Sequence, residues 1–72
     1  MNSLSMLEKH LIQLHLDECN IDGKFNYDIF MSKVESGLPL KIVLNYLTTD
    51  MKLKNFNIYT DLTLRGVLKG YE

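Results

Sequence analysis

Leu4, Leu7, Leu11 and Leu14 are separated by three, four and three residues. That spacing lines four leucines along one side of an α-helix, and Ile12 widens the row. A row of this kind predicts a helix over about residues 3–16 whose leucine side packs against the rest of the chain. Ser3 or Ser5 offers an oxygen to cap its first turn. Glu8 sits early, where the helix dipole favours an acid.

Three more apolar rows follow. Tyr27, Phe30, Met31 and Val34 predict a helix over about 26–35, closed by Ser36 and by Gly37, which tolerates the left-handed backbone that ends helices. Pro39 can open a third helix, because its missing N–H is one that a first turn leaves unpaired. Leu40, Val43, Leu44 and Leu47 form that helix's row, which frays towards Thr48, Thr49 and Asp50. Leu62, Leu64, Val67 and Leu68 predict a last helix over about 60–69. Between these two, "MKLKNFNIYTDLTL" mixes both periods, and Ile58, Tyr59 and Thr60 favour β-structure. The order is helix, loop, helix, link, helix, loop, helix, with the halves meeting at residues 37–39 and little identity between them. At 72 residues the chain is a single domain with a marginal core, and 46% hydrophobic with 24% charged residues is a globular composition.

A net charge of −1 argues against a strong grip on nucleic acid. Cys19 is the only cysteine, so no internal disulfide forms, which suits a reducing compartment and a buried, idle thiol. No apolar run approaches the roughly 20 residues of a membrane span, and no signal peptide is visible, so membrane insertion is not expected and a cytoplasmic location is. His10 and His15 lie five apart, on different helix faces, unlike the four-residue spacing of zinc helices. Cys19 has no base near it in sequence, and no glycine loop for phosphate is present. The chain is not expected to be an enzyme.

The stretch "ECNIDGKFNYDIF", residues 18–30, sets short oxygen-bearing side chains before a glycine and follows them with aromatics. Its part "DGKFNYDIF" resembles the back half of an EF-hand loop and the start of its exiting helix. With Gly23 at the sixth position, Glu18 is first, Asn20 third, Asp22 fifth, Phe25 eighth and Ile29 twelfth. The second half is similar to a worn second hand, with Ile58 or Tyr59 eighth and no glycine at the turn. The resemblance implies an all-α fold of paired EF-hands, one over about 3–36 and one over about 39–70. It also implies a short two-stranded contact between the loops, through Phe25 and Ile58 or Tyr59.

Calcium takes six to eight oxygens, two of them from a glutamate that closes the loop. Ile29 has none to give, and Glu18 is longer than the usual aspartate. Glu18, Asn20 and Asp22 are the candidate ligands of a site of roughly millimolar affinity or weaker. A second loop starting at Met51 or Lys52 puts apolar or lysine side chains at ligand positions, and the lysines repel a cation. No metal or other cofactor is expected.

The phrase "DGKFNYDIF" followed by "VESGLPL" and a ligand-free second hand resembles the N-terminal lobe of a myosin essential light chain. That resemblance implies a non-catalytic lobe that binds an amphipathic IQ-type helix of a myosin heavy-chain neck and stiffens the lever arm without calcium. A second light chain would be a further neighbour. The resemblance also implies a second lobe after Glu72. Six asparagines, with many Ile, Lys and Tyr, suggest an AT-rich genome, and with it a parasite gliding myosin in a membrane-associated motor complex. The groove for the partner helix is expected from Leu11, Phe30, Met31, Val34, Leu44, Leu47, Met51 and Leu68, and its acidic rim from Glu8, Asp17, Glu18 and Glu35. Two other readings compete: a calcium-dependent calmodulin-like sensor, and a small winged-helix DNA-binding protein whose recognition helix would carry Lys41 and Asn45.

Overall fold

The computed structural model describes residues 4–49 and 51–71. Among these residues, four helices and one two-stranded hairpin follow one another as α1 (Met6–Glu18), β1 (Asn20–Ile21), β2 (Lys24–Phe25), α2 (Tyr27–Glu35), α3 (Leu40–Thr48) and α4 (Phe56–Leu64). The fold is therefore mainly helical.

Each helix boundary has a local cause. Ser5 caps α1: its Oγ accepts from the Glu8 N–H at 3.1 Å while Glu8 Oε1 accepts from the Ser5 N–H at 2.8 Å. Two N–H groups that a first turn leaves unpaired are satisfied reciprocally. Asn26 caps α2 by accepting from the Ile29 N–H at 3.0 Å. At the far end of α2, Gly37 has φ of 121°, and its N–H reaches the Val34 carbonyl at 3.1 Å. The Leu38 N–H bonds to the Lys33 carbonyl at 2.9 Å, completing a paired closure of the last turn. Pro39 is the N-cap of α3.

The last helix differs from expectation at both ends. It starts at Phe56, and it stops before Gly66, which at φ of 79° takes the same closure as Gly37. The Gly66 N–H bonds to the Thr63 carbonyl and the Val67 N–H to the Leu62 carbonyl. Residues 66–71 continue as turns, and from them Leu68 reaches back into the core.

The expected strand contact between two loops is replaced by a hairpin inside the first. Asn20 faces Phe25 and Ile21 faces Lys24 in an antiparallel pair. The turn residues Asp22 and Gly23 both have positive φ, 54° and 80°. Asp-Gly is the sequence that suits such a two-residue turn, because it matches the twist of the strands. Phe25 thus spends its backbone bonds within its own loop. Ile58 and Tyr59 are helical, and Ile58 is fully buried. Its β-favouring side chain is overridden by the apolar area it covers from inside a helix.

One core joins all four helices: Ile12, Leu16 and Cys19 of the α1 end, Phe30 of α2, Val43, Leu44, Tyr46 and Leu47 of α3, Ile58 and Leu62 of α4, with Leu68. Phe25 meets Phe30 edge-on, with ring centres 5.7 Å apart, and Tyr27 stacks on Phe30 at 6.4 Å. The α1 residues in this core are not the leucine row. Leu7, Leu11 and Leu14 point outward, and only Leu4 packs partly against the cluster. At about 100° per residue, the inward row of Ile12, Leu16 and Cys19 lies about 140° away around the helix from the leucines.

The capping box yields a prediction. Ser5→Ala should lower the unfolding free energy by about 1 kcal/mol in urea titrations. Glu8 is held below the ordinary carboxylate range by its bond from the Ser5 N–H and by the Ser5 hydroxyl. A depressed folded pKa makes this contribution full at neutral pH and lost as pH falls through the folded value. The difference between wild type and Glu8→Gln should therefore shrink with acidification and be largest near neutrality.

Candidate interaction surface

The first loop uses its polar side chains to staple the fold. Glu18 pairs with Lys33 of α2, and this hydrogen bond, reinforced by the lysine's charge, holds the carboxyl below its ordinary range. Asn20 Oδ1 accepts from Asn57 Nδ2 of α4 at 2.8 Å. Asp22 is exposed at the turn. Ile29 lies inside α2, against the core. Glu18 and Asn20 thus face separate partners, and Asp22 faces solvent. Among the described residues no group of three or more His, Cys, Asp or Glu is placed to hold a metal ion.

Cys19 is fully buried and its Sγ donates to the His15 carbonyl at 3.3 Å. Burial pushes the thiol up, which leaves it a poor nucleophile at neutral pH. His15 Nδ1 lies 3.3 Å from Lys33 Nζ and 3.9 Å from the Glu18 carboxylate.

A buried polar cluster fixes how α1 faces the core. Gln13 Nε2 donates to Asn55 Oδ1 at 2.8 Å, and Asn55 Nδ2 returns a bond to Gln13 Oε1 at 3.0 Å. The Tyr46 hydroxyl donates to the same Oε1 at 2.7 Å. Gln13 Nε2 also donates to Asp17 Oδ1 at 2.9 Å, and Asn55 Nδ2 to the Met51 carbonyl at 3.2 Å. Every donor and acceptor site of the Gln13 amide is used. The cluster ties α1 to α3 and to the link before α4.

With Gln13 turned inward, Leu7, Leu11 and Leu14 remain 67%, 48% and 46% exposed along one line of α1. Beside them lies a shallow depression of about 190 Å³, lined by Glu8, Leu11, Ile12, His15, Leu38, Pro39 and Ile42. It is too small for a drug-sized molecule, for which pockets run to roughly 300–1,000 Å³, but it fits one or two side chains. Ile42 is 39% exposed on the α3 side. The result is an apolar strip on α1 with a socket where α1 meets the turn into α3.

The structure separates the residues expected to line a groove. Phe30, Leu44, Leu47 and Leu68 are inside the core, so they present no surface to a partner in this conformation. Met31, Val34 and Met51 are half-buried against that core. Leu11 alone of the eight is on the exposed strip. Of the expected rim acids, Glu8 is engaged in a helix cap, Asp17 with Gln13 and Glu18 with Lys33, while Glu35 is exposed. Leu7, Leu14, Leu38, Pro39 and Ile42 were not expected at a surface site. The spacing of Leu7 and Leu14 was visible in the sequence, but the direction in which they point was not.

Comparison of the chain with family models, with curated proteins and with solved structures finds no match.

Gln13→Leu should destabilise the fold by about 1–3 kcal/mol, since it leaves Asn55 and Tyr46 with unmet bonds in a buried site. A double-mutant cycle with Asn55→Leu, read by chemical denaturation, should show strong coupling, with the pair losing less than the sum of the singles. Calcium should leave the melting temperature of the chain unchanged, because Glu18 and Asn20 are already engaged by Lys33 and Asn57.

Proposed function

We propose that this chain is a non-catalytic interaction module that docks an amphipathic helix along the exposed side of α1. The observation that carries the proposal is the strip of Leu7, Leu11 and Leu14 beside the Leu38–Pro39–Ile42 socket. An amphipathic helix reads such a strip through apolar anchors at helical spacing, with one large side chain entering the socket. Glu8 and Asp17 lie on either side of the strip, while Glu18 is paired with Lys33, so a partner with basic flanks fits better than an acidic one. Binding would need no metal.

The EF-hand and light-chain form of the proposal names the partner as the IQ-type neck helix of a myosin heavy chain. It rests on the likeness of residues 22–30 to an EF-hand loop. The second half lends it less: it has no glycine at the turn, and its ligand positions carry mostly apolar or lysine side chains. The winged-helix alternative draws little from the fold, since the hairpin precedes α2 instead of following α3. Lys33 is paired with Glu18, and Arg65 is paired with Asp61 and lies over the Tyr27 ring.

Titration calorimetry with basic amphipathic peptides, one of them IQ-type, tests the proposal. Binding should be the same with calcium or chelator. Leu11→Glu and Ile42→Glu should each weaken it at least about tenfold, as expected when a buried anchor of an interface is lost, with helical circular dichroism retained. Binding of other amphipathic peptides but not the IQ-type one would remove the myosin form alone. Failure of every peptide would remove the proposal.

A further inference from the structure

The exposed side of α1 is complementary to itself when reversed. Leu4, Leu11 and Glu18 share one heptad position, and Leu7 and Leu14 share the other apolar one. Flanking this seam, Glu8 and His15 repeat at seven residues on one side, and His10 and Asp17 repeat at seven on the other. In an antiparallel pair of helices each flank meets the same flank of its partner. With Leu11 set against Leu14 of the second copy, Glu8 comes opposite His15 and His10 comes opposite Asp17. Both pairs occur twice by symmetry, and no acid meets an acid across these flanks.

We propose that a second copy of this chain occupies the α1 face, as an antiparallel, two-fold symmetric and reversible dimer. Such an interface uses one patch twice, so self-complementarity is the feature it requires. The chemistry of each flank is available in the monomer. Lys33 Nζ donates towards His15 Nδ1, which leaves the His15 Nε2–H to donate to a carboxylate. Glu8 accepts from the Ser5 N–H through Oε1, which leaves Oε2 as its second acceptor oxygen. His10 and Asp17 are both exposed. Three half-exposed leucines and Ile42 from each copy make an interface smaller than the standard one, so the dimer exchanges. It covers the same strip as a partner helix and so competes with it. The inference does not depend on the partner-helix reading, because the dimer can form whether or not any foreign peptide binds.

Sedimentation equilibrium of the full chain over a wide concentration range tests this. Wild type should pass from monomer to dimer as concentration rises. Leu11→Glu and Leu14→Glu should stay monomeric at every concentration, with unchanged helical circular dichroism. His10→Glu, which sets acid against Asp17 twice, should weaken the dimer about three- to tenfold, and His10→Lys should strengthen it by a similar factor at low salt. A wild-type chain that is monomeric throughout overturns the proposal. So does a dimer that survives Leu11→Glu, or one indifferent to both His10 variants.

Discussion

The pairing of the Gln13 and Asn55 amides, with the Tyr46 hydroxyl on the same oxygen, is the constraint on which the arrangement of this fold depends. Helix α1 carries two apolar rows, and hydrophobic burial alone does not favour one strongly over the other. Turning the helix by about 140° would cover Leu7, Leu11 and Leu14 and expose Ile12 and Leu16. It would also break the bonds that Asn55 and Tyr46 make to Gln13 in a buried site, at a cost of about 1–3 kcal/mol. The polar cluster removes the ambiguity, and the exposed leucine strip is its consequence. The surface of interest is thus set by hydrogen bonds on the opposite side of the helix.

The first loop shows the same economy of local rules. Asp22 and Gly23 close a hairpin within the loop, and its remaining polar groups reach outward to separate helices, Glu18 to α2 and Asn20 to α4. These contacts fix α2 and α4 around the end of α1. The spacing that suggested ligands around an ion is therefore compatible with a different use, in which Glu18 and Asn20 serve different neighbours and Asp22 shapes the turn. The two halves of the chain are not equivalent: the first holds a hairpin between its helices, while in the second α4 begins where a loop was expected.

A strip on one helix, open to solvent and bordered by acids and histidines, suits partners that come and go. Its apolar area is modest, which favours exchange over permanent assembly. A helix from another protein and the same helix from a second copy would cover the same leucines, so free chain concentration would bear on partner occupancy. The core beneath is closed, since Phe30, Leu44, Leu47 and Leu68 are already packed against one another's neighbours. Docking on the outside of α1 leaves that core intact, whereas opening a groove between the helices would expose it.

Much of the helical framework was legible in the sequence. The rows in α2 and α3, the glycine stop at Gly37 and the start near Pro39 follow from local periodicity and backbone preference, which act over a few residues. The stop at Gly66 was equally local, yet the apolar pair Val67 and Leu68 read as more helix. The direction of the leucine row, the burial of Ile58 in a helix and the pairing of Phe25 within its own loop were not legible. Each depends on a residue distant in sequence or on a competition between two locally acceptable states. Sequence by itself determined where helices could form and that α1 would carry exposed or buried leucines in a line. Only the tertiary structure decided that the line faces outward, because Gln13 meets Asn55 across 42 positions of chain, and periodicity carries no information about a partner that far away.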